Sequence, residues 1–325
     1  MRTIELHEGH SGTLFGVRDE NLRYLADRLR VDVKARGGRV VVSGDPEAEE
    51  IVVRLLESFD RLLEAGGSVG REEFRTGVRV LEEDLEIDLV DFFLDTTIPA
   101  TLKRYLVPRN LNQRRFIHAV LQHDYVFAIG PAGTGKTYLA VAMAAAALLD
   151  QEVRRIILTR PAVEAGERLG FLPGDLVEKI NPYLRPIYDA LYDILGYDRV
   201  SKLMERQMIE IAPLAFMRGR TLNDAFIILD EAQNTTPEQM KMFLTRMGFH
   251  SRTVITGDIT QIDLPGGRTS GLVEAINVLK GVEGIALIEF THRDVVRHRL
   301  VQRIVDRYDQ WEAGHRGRGE RGADG

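Results

Sequence analysis

The segment Gly130-Pro131-Ala132-Gly133-Thr134-Gly135-Lys136-Thr137 fits G-x-x-x-x-G-K-[ST], a spacing whose chemistry is phosphate binding. Glycines let successive backbone N–H groups turn toward phosphate oxygens, and a helix starting at the lysine adds its partial positive charge. Lys136 is expected to bridge the β- and γ-phosphates of a nucleotide, and Thr137 to ligate Mg²⁺. Downstream, "AFIILDEAQN" delivers Asp230 from an apolar run to a metal or metal-bound water, with Glu231 next to it as the base for an attacking water. "TVITGDITQIDLP" brings Asp258 and then Gln261, a residue able to sense the γ-phosphate and signal to the next helix.

These groups need strands that end at one edge. Apolar segments at 126–129, 156–158, 226–229, 254–255 and 285–288 alternate with helical patterns. That alternation predicts an α/β domain with a mainly parallel sheet flanked by helices, and the phosphate-binding segment after its first strand makes the domain resemble a P-loop NTPase (RecA-like) fold. Ligands then bind at the carboxyl ends of the strands. The longest apolar run, 138–149, is too short and alanine-rich to span a bilayer and reads as the buried helix behind the phosphate loop.

Ahead of this domain, residues 15–65 read helix, strand, strand, helix, with a hairpin around Gly37-Gly38. The order and the texture "VVVSGDPEAEEIVVRLL" resemble part of a KH-type RNA-binding module, although "FGVRDEN" stands where the backbone-clamping GxxG loop would be. The acidic stretch "EEDLEIDLVDFFLD" at 82–95 is expected to be a connector with one edge strand, and the boundary falls near Thr97. The predicted organisation is therefore 1–96 for the small KH-like module and connector, 97–313 for the ATPase domain and 314–325 for a disordered Gly/Arg-rich tail. Removing residues 1–96 is expected to spare basal nucleotide turnover.

A chain of 325 residues with 44% hydrophobic content has room for two cores. It contains no cysteine, which excludes disulfide or thiolate-metal frameworks, and its start lacks the basic-then-apolar order of a signal peptide. The expected location is the cytoplasm, without a membrane partner. The net charge of −6 excludes a wholly basic nucleic-acid coat and leaves room for a local basic patch.

"GPAGTGKT", "DEAQ" and "GDxxQ" together resemble the first motor domain of superfamily-one helicases. "LTRPAVEAGERLGFLPGDLVEKINPYLRPIYDAL", "IEIAPLAFMRGRTLNDAFIILDEAQNTTPEQMKMFLTRMG", "TGDITQIDLP" and "DVVRHRLVQRI" narrow the resemblance to the PhoH-like family of ATPases over roughly residues 97–310. The resemblance implies ATP and Mg²⁺ as cofactors, RNA as a partner, and a place in RNA processing or ribosome maturation. It places Gln113 of "NLNQ" where helicases of this kind read adenine, with capping of a helix near Asn112 as the alternative. Thr159, Arg160 and Glu164 fall where such proteins touch a nucleic-acid strand. Arg218 and Arg220 are further RNA candidates, with salt bridging or a subunit contact as the alternative. Arg297, in competition with Arg293, Arg299 and Arg303, is the candidate arginine for the transition state. Because one set of phosphate motifs is present, a neighbouring copy in a homo-oligomeric ring is expected to complete the site. Three readings stay open: an RNA remodeller or helicase, an ATP-gated assembly module that grips RNA-processing proteins without unwinding, and a small-molecule kinase.

Overall fold

The computed structural model describes residues 1–95, 101, 106–161, 176–295 and a few positions between 300 and 308. The first unit runs β1 (Arg2–Glu5), α1 (Ser11–Phe15), α2 (Glu20–Leu29), β2 (Asp32–Arg36), β3 (Arg39–Ser43) and α3 (Pro46–Glu64), followed by α4 (Arg71–Glu83) and α5 (Leu89–Leu94). Its sheet has the antiparallel order β1-β3-β2. The strand β1 and helix α1 extend the helix-strand-strand-helix order expected from sequence. α3 starts where it does because Asp45 accepts from the Glu47 N–H at 3.0 Å, and Pro46 fits the first turn, where no N–H is needed. Its apolar stripe, including Leu55, Leu56, Phe59 and Leu62, is buried against the sheet and α4. Each such side chain contributes about 1.5–3 kcal/mol when fully buried.

The acidic stretch is not a connector with a strand. It closes α4 and forms α5, whose Leu89 and Phe92 belong to the first unit's core while the carboxylates face outward or make ion pairs. Asp88 caps α5 by accepting from the Val90 N–H at 2.9 Å. Helical spacing of Leu89, Phe92 and Phe93 outweighs the charge density that suggested a linker.

The second unit begins with α6 (Leu111–Gln122) and continues β4 (Tyr125–Ile129), α7 (Lys136–Leu149), β5 (Arg155–Arg160), α8 (Leu176–Leu195), α9 (Tyr197–Glu205), β6 (Ile209–Pro213), β7 (Ala225–Leu229), α10 (Pro237–Leu244), β8 (Arg252–Gly257), α11 (Gly271–Val278) and β9 (Ile285–Glu289). The strands form one sheet in the order β6-β5-β7-β8-β4-β9, parallel throughout. Alternation along each strand splits the core into two layers. Ile156, Leu158, Ile228 and Val254 face the α7 side, whereas Phe127, Ile157, Ile227 and Ile255 face Met240, Phe243 and Leu272. Alanines along α7 let that helix lie close on the sheet, where Ala140, Ala142, Ala144 and Ala145 are fully buried.

The two units meet on α6. Leu111 joins the first unit's core, while Phe116 and Ile117 on the same helix join the sheet's core. Arg114 reaches across with Nε at 2.8 Å from Asp95 and Nη2 at 2.7 Å from Asp91, and His118 Nε2 lies 2.7 Å from Asp95. Arg297, Arg299, Arg303, Glu164 and the 314–325 tail lie outside the described residues.

Candidate functional site

The loop between β4 and α7 takes the shape its glycines permit. Gly130, Gly133 and Gly135 have φ of 142°, 83° and 85°. A Cβ on Gly130 would stand 2.3 Å from the Phe290 carbonyl, so the residue just past β9 leaves space for no side chain there. Lys136 is 8% exposed and its Nζ donates to the Gly130 and Pro131 carbonyls at 2.7 and 2.8 Å. Burial pushes its pKa down, an effect that Asp258, Asp230 and Glu231 oppose by attraction. Thr134 Oγ1 donates to the Pro131 carbonyl at 3.0 Å, which closes the loop on itself.

Parallel pairing sets the other groups at the same edge. β7 ends so that Asp230, 4% exposed, accepts from Thr137 Oγ1 at 2.7 Å and from Thr256 Oγ1 at 2.6 Å on one oxygen, Oδ1. Arg160 at the end of β5 stands 4.0 Å from Asp230 Oδ2 and 3.5 Å from Glu231 Oε1. Glu231 has a left-handed backbone, with φ of 52°, a conformation that costs about 1–3 kcal/mol in a residue other than glycine and turns its side chain off the strand line. Its Oε2 accepts from Gln233 Nε2 at 2.6 Å, and Gln233 Oε1 in turn accepts from the Asp258 N–H at 3.0 Å. Gln261 Nε2 donates to Asp258 Oδ2 at 2.8 Å. Lys136, Thr137, Asp230, Glu231, Asp258 and Gln261 thus line one cleft of about 250 Å³.

The sequence-predicted set divides clearly. Gly133, Gly135, Lys136, Thr137, Asp230, Glu231 and Gln261 share the cleft, as does Ala132. Gln113 lies against the back of the phosphate loop; the helix cap expected near Asn112 is made by Asn110, which accepts from the Gln113 N–H at 2.8 Å. Thr159 is 0% exposed, so its side chain has no surface to offer an RNA strand; its carbonyl accepts from the Asp230 N–H at 2.9 Å. Arg160 faces the carboxylates of the cleft. Arg220 forms a bidentate pair with Glu210 at 2.6 and 2.7 Å, the salt-bridge alternative, and Arg218 is exposed. Three groups at the site were missed from sequence: Gln233, Thr256 and Tyr138. Gln233 was detectable in principle, because it follows Glu231 within the quoted "DEAQ".

The donor set suits Mg²⁺. That ion takes one or two protein oxygens beside phosphate oxygens, and Thr137 Oγ1 and Asp230 Oδ1 converge at the mouth of the loop. Among the described residues no helix is long and apolar enough to cross a membrane.

Residues 105–309 match the family described as PhoH-like protein. A PhoH-like protein of Mycobacterium tuberculosis strain H37Rv is 52% identical over 304 residues, covering 92% of this chain and 85% of its own. One from Bacillus subtilis is 50% identical over 299 residues, covering 92% and 93%. Protein PhoH of Escherichia coli K12 is 46% identical over 205 residues, covering 62% and 58%. Among solved structures, the Sulfolobus solfataricus SWI2/SNF2 ATPase core in complex with dsDNA overlaps 55% of this chain and 42% of its own, at 15% identity and a TM-score of 0.33. The P-loop NTPase fold is established by the parallel sheet and the loop that joins β4 to α7. With a family match over most of the second unit and half-identical relatives along nearly the full chain, this protein belongs to the PhoH-like family.

Proposed function

We propose that this chain is a Mg²⁺-dependent ATPase that couples hydrolysis to the remodelling of RNA or RNA–protein complexes in the cytoplasm. The observation that carries hydrolysis is Glu231, a carboxylate braced by Gln233 at 2.6 Å beside the phosphate cleft rather than buried under it. A triphosphate entering the loop takes the Lys136 ammonium from the Gly130 and Pro131 carbonyls. Thr137 and Asp230 would hold the ion, which would supply positive charge against the phosphoryl oxygens. Glu231 orients the attacking water and accepts its proton. Arg160 lies between the two neighbouring carboxylates, 4.0 Å from Asp230 Oδ2 and 3.5 Å from Glu231 Oε1, and places a positive charge beside both. A kinase has to keep water from this position, which disfavours that reading.

RNA is supported by the first unit. A groove of about 590 Å³ beside α2 and β2 is lined by the apolar Leu22, Ala26 and Val33 and by the charged Arg18, Asp19 and Arg23. Apolar side chains beside two arginines, partly offset by one aspartate, suit unstacked bases on a phosphate backbone. An ATP-gated assembly module is the second reading, favoured by α6, which touches both the first unit and the phosphate loop.

Turnover of Glu231→Gln tests the hydrolytic assignment. The variant should bind ATP as the parent does and lose about 10²–10⁴-fold in kcat; a parental rate overturns it. ATP turnover with and without single-stranded RNA, beside a strand-separation assay, divides the two readings. Stimulation with unwinding selects the remodeller, and stimulation only by a protein partner selects the assembly module. Arg297 is proposed as the arginine that neutralises transition-state charge, supplied by a neighbouring copy in a ring. Mixed Arg297→Ala and Lys136→Ala subunits should then regain part of the activity each lacks alone, and no recovery despite proven subunit exchange rejects action in trans.

A further inference from the structure

Gln113 lies in the first turn of α6 and is 4% exposed. Its amide is engaged at both ends. Nε2 donates to the Thr134 carbonyl of the phosphate loop at 3.0 Å, and Oε1 accepts from the Arg109 N–H at 2.7 Å. A Cβ on Gly135 would sit 3.4 Å from Nε2, so the amide is in contact with the loop backbone itself. Reading adenine by its edge takes one donor and one acceptor from the same amide. Turning Gln113 toward a base would leave the Thr134 carbonyl and the Arg109 N–H without these partners in a buried setting, which is costly.

Tyr138 offers a different kind of contact. It follows Thr137, lines the phosphate cleft and is half-buried, so part of its ring stays accessible. Its hydroxyl donates to Asp193 Oδ2 on α8 at 2.9 Å, which anchors the ring at its tip. The exposed Arg109 is near enough to favour the ionised phenol, opposing the burial and Asp193 that push this pKa up.

We infer that Gln113 is a positioning residue of the phosphate loop, that the nucleobase is held by stacking on Tyr138, and that the site therefore discriminates poorly between adenine and guanine. This rests on the nucleotide-binding reading and adds base selectivity to it. Every purine presents a π-face of similar size, whereas a site that hydrogen-bonds a base edge rejects the wrong one strongly.

Calorimetric titration of the full chain with ATP, GTP and inorganic tripolyphosphate, each with Mg²⁺, tests it. The parent should bind ATP and GTP within about tenfold of one another. Gln113→Ala should weaken ATP, GTP and tripolyphosphate by a common factor, because it acts through the loop. Tyr138→Ala should weaken ATP and GTP by about ten- to a hundredfold and leave tripolyphosphate unchanged, with Tyr138→Phe restoring the loss. A preference for ATP over GTP of more than about a hundredfold that Gln113→Ala abolishes, with tripolyphosphate affinity intact, overturns the inference. Equal tripolyphosphate affinity in the parent and Tyr138→Ala certifies that variant's fold. If the parent binds neither nucleotide nor tripolyphosphate, the nucleotide-binding reading itself falls, an outcome distinct from strong adenine selectivity.

Discussion

At the scale of single residues, the cleft separates groups that hold charge from groups that hold geometry. Lys136 is the buried cation facing Asp230, Glu231 and Asp258, so Lys136→Ala removes the charge that a triphosphate must find there. Its expected effect is on affinity, with ATP binding lost by about two orders of magnitude or more in a direct titration. Gln233 is different. It does not line the phosphate cleft and instead connects Glu231 Oε2 to the Asp258 N–H, at 2.6 and 3.0 Å. Gln233→Ala should lower kcat by about ten- to a hundredfold while nucleotide affinity stays within about threefold, since a loosened base is misplaced without loss of phosphate contacts. Steady-state kinetics beside calorimetry separates the two; a Gln233→Ala variant that loses binding and keeps kcat would reassign it to the phosphate side.

At the scale of elements, Tyr125 ties the start of β4 to the end of α10. Its hydroxyl donates to the Leu244 carbonyl at 2.6 Å, and burial, followed by the nearby Asp124, pushes its pKa from 10.0 up to about 12. A phenol whose pKa is higher folded than unfolded stabilises fully below pH 10. That contribution is lost as pH rises toward about 12, because the unfolded chain releases its proton first. Tyr125→Phe should cost about 1 kcal/mol near neutrality and flatten the alkaline fall in stability, read by urea unfolding at a series of pH values. An unchanged slope between parent and variant would mean that another group sets it. Such ties mark the limit of what was legible in the sequence. The loop, Asp230 and Glu231 were legible because each follows an apolar strand, where local spacing alone fixes the position. β6 was not, since this edge strand carries Glu210 and lacks the continuous apolar run of β5 or β7. α5 was misread as a connector because its charges are local while the core that buries Leu89 and Phe92 is assembled from distant segments. The partners of Gln113 and the burial of Thr159 depend on three-dimensional neighbours that no spacing reveals.

At the scale of the whole molecule, α6 sets how far the two units are independent. Sequence composition placed a boundary near Thr97 and implied that residues 1–96 could be removed without loss of turnover. The structure argues otherwise, because Leu111 is 7% exposed within the first unit's core and Arg114 finds both of its carboxylates, Asp91 and Asp95, on that unit. Removing the unit uncovers Leu111 and leaves Arg114 and His118 without Asp95, on the helix whose first turn also holds the phosphate loop through Gln113. Asp95→Asn probes this in the full chain and leaves both cores intact. Asp95 is itself 3% exposed, but Arg114 is partly open to water, so the expected cost is about 1–3 kcal/mol, below that of breaking a fully buried pair. If α6 makes the units one cooperative body, urea unfolding of Asp95→Asn should still show a single transition at lower midpoint. Saturating MgATP should then recover part of the loss by binding only the folded form. Two resolved transitions in the parent, with Asp95→Asn shifting only the one insensitive to MgATP, would mean that the first unit is carried by the second rather than joined to it energetically.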